Sequence, residues 1–222
     1  MPNIIAISLA SYLIGSVPFG YVLVRLFRGA DIRQSGSGNI GATNVARTSP
    51  GLGIATLILD ALKGFAAVYL ASRGEIIGSL GWNMNALSAQ ECSPMSWDLY
   101  TRCVLAALFA ILGHMFPLWL KFRGGKGVAT GLGSFILLAP RAVIVMAGVF
   151  LLVAAIFRYV SLASIVAVAL FPLLAWLLHD YHEMPIVLAI MAISSILIVA
   201  KHHENIRRLL AGTENRLGTK RA

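Results

Sequence analysis

Two stretches of this sequence combine glycines with a basic residue, a combination typical of phosphate-binding sites. The first stretch, Ser35 to Arg47, reads Ser-Gly-Ser-Gly-Asn-Ile-Gly-Ala-Thr-Asn-Val-Ala-Arg. Its glycines allow backbone N–H groups to approach a ligand closely, and the guanidinium of Arg47 is suited to phosphate. Its neutral hydrogen-bonding candidates are Ser37, Asn39, Thr43 and Asn44. The alternative is an ordinary surface loop, in which glycine and serine are common.

The glycines of this stretch also match the spacing of a dinucleotide-binding fingerprint. Gly36, Gly38 and Gly41 form Gly-x-Gly-x-x-Gly, and an acidic residue, Asp60, follows. That fingerprint requires a preceding strand and a βαβ unit. Here apolar runs long enough for membrane helices flank the glycines, so we exclude a dinucleotide site.

The second stretch, Lys121 to Thr130, places Lys126 among glycines. It is not a Walker A loop, because Gly127 follows the lysine where Ser or Thr is required. What remains is a glycine-rich turn with Lys126 at the predicted N-terminus of a helix, where exposed N–H groups and the helix dipole favour an anion. We interpret Gly124, Gly125, Lys126 and Gly127 as a phosphate site. Anchoring of basic side chains to anionic lipid is the alternative.

A third polar segment begins at Lys201. His202 and Asn205 are three residues apart and would share one face of a helix, where an imidazole and an amide can hold a polyol. The alternative is a cationic interfacial helix whose Leu209 and Leu210 face lipid. Spacing alone leaves open whether His202 or His203 faces a substrate.

Three ionisable residues fall within apolar runs. Asp60 and Lys63 are three residues apart, and isolated charges inside a membrane are costly, so we expect them to pair or to face a polar interior. The spacing favours a structural ion pair over a catalytic role for Asp60, which should lie below the polar segments. His114, just before Pro117, is interpreted as a packing histidine.

The elements that position these segments are membrane helices. The chain has 222 residues, 58% hydrophobic and 12% charged, against roughly 45–50% and 25% in ordinary soluble domains. We predict a single all-α integral membrane domain over residues 1–222. The net charge is +9, and the basic residues lie between apolar runs. This placement favours lipid headgroups and phosphorylated substrates over nucleic acid as binding partners. Cys92 and Cys103 match neither a disulfide framework nor a metal site.

Seven transmembrane helices are predicted. The first run, Ile4–Val24, is about 31 Å long as a helix, enough to cross the hydrocarbon core. We divide 128–158 at Pro140, because one helix of about 46 Å would demand an unusual tilt. The other predicted spans are Leu52–Ser72, Cys103–Leu120, Val128–Ala139, Ala142–Phe157, Tyr159–Leu178 and Pro185–Ala200.

Charge bias sets the predicted orientation. No basic residue precedes the first span, whereas Arg25, Arg28 and Arg33 follow it, so the N-terminus is expected outside and the C-terminus in the cytoplasm. The outside segments then hold the acidic residues Glu75, Glu91, Asp98, Asp180 and Glu183. This orientation puts the three polar segments on the cytoplasmic side.

Three long motifs in this order resemble the signature motifs of the bacterial PlsY family of acyl-phosphate-dependent glycerol-3-phosphate acyltransferases. They are Ser-Gly-Ser-Gly-Asn-x-Gly-Ala-Thr-Asn (35–44), Gly-His-x-Phe-Pro…Lys-Phe-x-Gly-Gly-Lys-Gly-Val-Ala-Thr (113–130) and His-His-Glu-Asn-Ile-x-Arg-Leu (202–209). The resemblance extends over nearly the whole chain. The loop 73–97 is longer than is usual in that family.

The resemblance implies acyl transfer from acyl phosphate to the 1-hydroxyl of glycerol 3-phosphate, giving lysophosphatidic acid and phosphate. It implies catalytic roles for Ser37, Lys126, His202 and Asn205, and substrate binding by Ser35, Asn39, Thr43, Asn44, Arg47, Gly124, Gly125 and Gly127. It further implies a bacterial inner-membrane location, a cytoplasmic active site, no cofactor or metal, and a soluble partner enzyme that supplies acyl phosphate.

Other classes of protein fit the residues less well. A transporter of a phosphorylated metabolite also needs cationic sites, but its site should lie near the bilayer midplane between repeated halves. The polar motifs here cluster at one interface, and no repeat is evident. An alcohol phosphotransferase needs clustered aspartates to hold a metal, and this sequence has none.

Overall fold

The computed structural model describes residues 4–72, 94–178, 181 and 183–218. Every regular element in these ranges is a helix, and the chain divides into two compact units, Met1–Leu138 and Ala139–Ala222. Most of the predicted outside loop 73–97 lies outside the described residues, as do Cys92, Glu75, Glu91 and Asp180.

The N-terminal unit contains helices α1 (Ile4–Gly15), α2 (Phe19–Arg28), α3 (Ala42–Thr48), α4 (Pro50–Ser72), α5 (Pro94–Met115) and α6 (Val128–Leu138). The predicted first span is therefore two helices, because the chain breaks at Ser16–Pro18. Proline lacks the N–H that helix continuation needs.

Small residues bring the helices of this unit close together. A Cβ added to Gly133 in α6 would overlap the backbone of Ala61 in α4, and a Cβ on Gly64 in α4 would overlap the backbone of Thr130. Gly113 in α5 makes a similar approach to Tyr12 in α1. Such close approach is the usual basis of helix packing in lipid, where the hydrophobic effect does not drive helices together.

The C-terminal unit contains α7 (Pro140–Phe157), α8 (Val160–Leu177), α9 (Pro185–Ala200) and α10 (His203–Leu210). Helix α8 packs against α7 and α9. The break between α6 and α7 at Ala139 lies beside the predicted division at Pro140, and α9 has the predicted bounds.

Among the described residues, five segments are long and apolar enough to cross a membrane, or six if α9 and α10 form one bent span. The five are Ile4–Arg28, Pro50–Ser72, Asp98–Leu120, Pro140–Phe157 and Val160–Leu177. Helix α6, with 11 residues, is only about 16 Å long and does not qualify on its own. The all-helical membrane architecture is confirmed, whereas the count of seven spans and the orientation of the termini stay predictions.

Candidate active site

The loop of the first motif is organised by the buried side chain of Asn44. Its Oδ1 accepts a hydrogen bond from the amide of Ser37 at 2.9 Å. Its Nδ2 donates to the carbonyls of Ser35 at 2.9 Å and Asn39 at 2.8 Å, with a longer bond to Ile32 at 3.3 Å. All polar atoms of this amide are occupied within the protein. Asn44 thus shapes the loop, which is a different task from the substrate contact expected of it.

Two glycines are required by the backbone of the same loop. Gly36 and Gly38 have φ of 58° and 69°, in the left-handed region that side chains other than glycine rarely adopt. A Cβ on Gly36 would also overlap Oδ1 of Asn44. Asn39 accepts from the amide of Gly41 at 2.8 Å.

Ser37 in this loop is exposed, as are Thr43 and Arg47 in the following helix α3, whereas Ser35 and Asn39 are half-buried. The structure thus holds Asn44 below the loop and presents Ser37, Thr43 and Arg47 at its surface.

The glycine-rich turn, residues 121–127, folds back onto the end of α5. The amide of Gly124 donates to the carbonyl of Met115 at 3.1 Å, and the amide of Gly125 donates to the carbonyl of His114 at 3.0 Å. Both amides are already engaged, so they do not supply the phosphate donors expected of Gly124 and Gly125. Packing requires glycine at both positions. A Cβ on Gly124 would overlap the carbonyl of His114, and a Cβ on Gly125 would overlap the ring of His114.

Lys126 lies two residues before Val128, the first residue of α6. The first intrahelical bond runs from the amide of Gly131 to the carbonyl of Gly127 at 2.7 Å. The amides that precede Gly131 in the helix have no partner of this type, which is the general condition of a helix N-terminus. The predicted position of Lys126 is confirmed, and the physics favours an anion there.

A buried polar cluster lies beside this turn. Nζ of Lys63 lies 2.7 Å from Oδ1 of Asp60, which confirms the predicted pair. Nζ of Lys63 also donates to the carbonyl of Val17 at 2.8 Å. Nδ1 of His114 lies 3.5 Å from the same Asp60 oxygen. Asp60 is therefore separated from the glycine-rich turn by one side chain, and its depth below the polar segments stays a prediction.

In the C-terminal unit, His202 is buried and His203 is exposed. His202 is the N-cap residue of α10, and its carbonyl accepts from the amide of Ile206 at 2.9 Å. His202 and Asn205 are both buried while the two residues between them are exposed, which agrees with the predicted shared face. Nδ1 of His202 lies 2.8 Å from the carbonyl of Ile198. Since a carbonyl only accepts, the Nδ1–H of His202 donates in this bond.

Asn205 is held by a carboxylate that follows it in the chain. Its Nδ2 donates to Oε1 of Glu214 at 2.8 Å, and the hydroxyl of Ser161 donates to the same oxygen at 2.9 Å. Oε2 of Glu214 accepts from Nε of Arg208 at 2.7 Å. Oδ1 of Asn205 is buried without a hydrogen-bond partner among the described residues. Glu214 thus fixes the amide so that its acceptor oxygen stays available.

Burial raises the pKa of Glu214, but the hydrogen bonds from Arg208, Asn205 and Ser161 outweigh it and hold the pKa below its usual value. The carboxylate is charged at neutral pH. It therefore compensates the Arg208 guanidinium and accepts from both neutral donors.

Comparisons with known proteins decide between the possible activities. The family model for glycerol-3-phosphate acyltransferase matches residues 5–212. A glycerol-3-phosphate acyltransferase of Agrobacterium fabrum is 43% identical over 99% of this chain and 95% of its own. One from Syntrophotalea carbinolica is 44% identical over 94% of each chain.

Solved structures agree with the sequence relatives. The crystal structure of PlsY, an integral membrane glycerol 3-phosphate acyltransferase, in its glycerol 3-phosphate form has a TM-score of 0.79 and 36% identity, covering 97% of this chain and 96% of its own. Its lysophosphatidic acid form has a TM-score of 0.76.

This chain belongs to the glycerol-3-phosphate acyltransferase family. The resemblance of its three motifs to the PlsY family is confirmed. It is thus an integral membrane acyltransferase of the PlsY type, and phospholipid synthesis is implied by that family.

Two residues that contact the motifs and hold them in place were not identified from the sequence. The sequence assigned no role to Glu214, although it is one of only two acidic residues in a basic tail, and that contrast was the available signal. His114 was interpreted as a packing residue, whereas it contacts both Asp60 and the glycine-rich turn. Neither contact follows from a spacing in the sequence.

Proposed function

We propose that this acyltransferase transfers a fatty acyl group from acyl phosphate to the 1-hydroxyl of sn-glycerol 3-phosphate. The products are lysophosphatidic acid and inorganic phosphate. The observation that carries the donor assignment is the position of Lys126 two residues before the N-terminus of α6. The similar structures are described as glycerol 3-phosphate and lysophosphatidic acid forms of PlsY, which supports the acceptor and the product.

Acyl phosphate suits the residues because it is already activated. Attack of the glycerol hydroxyl on the acyl carbon breaks the bond to the phosphate oxygen, and the phosphate leaves with the electron pair. Lys126 and the α6 amides would stabilise the negative charge that grows on this phosphate. Removal of one such preorganised donor typically lowers the rate about 10²–10³-fold. The reaction then requires neither an acyl-enzyme intermediate nor a metal ion.

The first motif and the third motif each carry groups suited to the acceptor. Arg47 provides a forked cation for the phosphate of glycerol 3-phosphate, with Ser37 and Thr43 as neutral donors. Oδ1 of Asn205 is an acceptor for a glycerol hydroxyl, because Glu214 occupies its Nδ2. His202 would orient the polyol through Nε2. We assign Ser35, Asn39, Asn44, Gly124, Gly125 and Gly127 to the shape of the binding loops.

The proton of the attacking hydroxyl goes to an oxygen of the donor phosphate in this proposal. No carboxylate is required for that step, and the leaving phosphate gains basicity as the acyl bond breaks. The reaction is then assisted by its own substrate.

We also propose that the chain crosses a bacterial inner membrane seven times, with its N-terminus outside and its active site facing the cytoplasm. A soluble enzyme would supply the acyl phosphate.

The test is phosphate release by the purified protein in detergent, given palmitoyl phosphate with and without glycerol 3-phosphate. We expect release that depends on glycerol 3-phosphate, with an equal amount of lysophosphatidic acid. Lys126→Ala should lower the rate about 10²–10³-fold, whereas Lys121→Ala, an exposed lysine of the same turn, should retain most of it. Product formation from acyl-CoA or acyl-carrier protein alone would refute the donor assignment.

A further inference from the structure

A chain of buried polar groups connects the middle of α4 to the glycine-rich turn. The carboxylate of Asp60 contacts Nζ of Lys63 at 2.7 Å, and the two side chains are 3% and 2% exposed. Nδ1 of His114 lies 3.5 Å from the same carboxylate oxygen. On the other side of the imidazole, a Cβ added to Gly125 would overlap Nε2. The ring therefore fills the space between Asp60 and the turn.

The backbone of His114 holds the same turn. Its carbonyl accepts from the amide of Gly125 at 3.0 Å, and the next carbonyl, that of Met115, accepts from Gly124 at 3.1 Å. His114 thus contacts the turn through both its main chain and its ring. Any rotation of this ring would push against Gly125, the residue directly before Lys126.

A contribution to stability does not by itself explain why Asp60 and Lys63 are charged residues. A buried ion pair loses much of its attraction to the cost of desolvation, and apolar residues often replace it without loss. Ionisable residues inside a membrane more often serve a function. The contact of 3.5 Å between Asp60 and Nδ1 of His114 is longer than a hydrogen bond, so the carboxylate acts on the ring by electrostatic attraction and by filling the space beside it.

We propose that Asp60, held in place by Lys63, fixes the ring of His114 and thereby positions the glycine-rich turn and Lys126. Asp60 is then a positioning residue that acts through His114 and touches no substrate. The significance of Lys126 rests on the proposed function, whereas the positioning of the turn does not. Lys63 contributes by pairing with Asp60 and by its bond to Val17, which joins the cluster to the end of α1.

The first experiment compares Asp60→Asn with the wild type by hydrogen exchange of the amides of residues 121–127 and by steady-state kinetics. Asparagine keeps the size of the side chain but removes the charge. We expect the Gly124 and Gly125 amides to exchange at least about fivefold faster, and kcat/KM for acyl phosphate to fall about tenfold or more as Lys126 moves. Thr56→Ala is the control, because Thr56 is also wholly buried in α4 and its hydroxyl donates to the carbonyl of Leu52 in the same helix.

The second experiment is a double-mutant cycle between His114→Ala and Gly125→Ala. Alone, Gly125→Ala should displace the turn because its Cβ meets the ring. With the ring removed, the same Cβ has space, so kcat/KM of the double variant for acyl phosphate should be no lower than that of His114→Ala. If the losses in kcat/KM caused by the two single substitutions simply multiply in the double variant, the ring does not confine the turn. The same logic applies to Asp60→Asn, which should add nothing to His114→Ala. If Asp60→Asn alone fails to fold, the cycle of His114→Ala and Gly125→Ala still decides whether the ring confines the turn.

Two results would overturn the proposal. Lost turnover with unchanged exchange of the turn would make Asp60 a direct participant in the chemistry. Unchanged turnover together with unchanged exchange would leave Asp60 and Lys63 as a structural pair only. If the wild-type protein released no phosphate from acyl phosphate, the proposed function would fail, while the exchange measurements would still decide whether Asp60 positions the turn.

Discussion

Asn205 and Glu214 are joined by a hydrogen bond of 2.8 Å, in which the side-chain amide donates to the carboxylate. The bond turns Oδ1 of Asn205 away from Glu214, and that oxygen is buried without a partner among the described residues. Serine, asparagine and arginine side chains all converge on one carboxylate. The last polar segment of the chain is therefore ordered by an acidic residue.

Glu214→Gln should destabilise the protein. Its amide nitrogen cannot accept from Nε of Arg208, and hydrogen bonds to charged groups contribute about 1.5–3 kcal/mol each. We expect a lower unfolding temperature by tryptophan fluorescence in detergent, and lower activity because Asn205 loses its orientation. The matched control is Glu204→Gln, which breaks an exposed contact with Arg207 and should cost at most about 1 kcal/mol. Equal effects of the two substitutions would contradict the network.

The contribution of Glu214 should depend on pH. Its pKa is lowered in the folded protein from the usual 4.5. A lowered folded pKa means that the stabilisation is fully present above the unfolded value and is lost as pH falls through the folded one. The difference in unfolding temperature between wild type and Glu214→Gln should therefore be constant between about pH 5 and pH 8, and it should shrink below pH 4.5. A difference that grows on acidification has the wrong sign for a charged Glu214.

The helices were largely predictable from the sequence, because apolar runs bounded by charge and proline depend only on local composition. Helix α9 begins at Pro185 and ends at Ala200 as predicted, and Lys126 lies at the predicted helix start. The contacts of Asn44, His114 and Glu214 were not predictable. Each joins residues whose proximity depends on a folded loop: Asn44 reaches Ser35 only because Gly36 and Gly38 turn the chain back. No periodic pattern marks such contacts.

Gly36→Ala should impair the enzyme far more than Gly29→Ala. Both residues have positive φ, 58° and 65°, so both substitutions cost about 1–2 kcal/mol of backbone strain. Only at Gly36 does the added Cβ also meet Oδ1 of Asn44, whereas nothing lies within 4 Å at Gly29. We expect kcat/KM for glycerol 3-phosphate to fall at least about tenfold for Gly36→Ala. Gly29→Ala should change it little, and equal losses would show that strain alone matters.

Gly133→Ala and Gly148→Ala should change stability in opposite directions, although both replace glycine inside an apolar helix. The Cβ at Gly133 would overlap the backbone of Ala61, so α4 and α6 must separate; at Gly148 nothing lies within 4 Å. Overpacking typically costs about 1–3 kcal/mol, whereas alanine in an open helical position gains up to about 1 kcal/mol over glycine. Unfolding temperatures in one detergent measure both effects. Stabilisation by Gly133→Ala would mean that α4 and α6 are not in backbone contact, and the close packing that places Asp60 beside the glycine-rich turn would have to be abandoned with it.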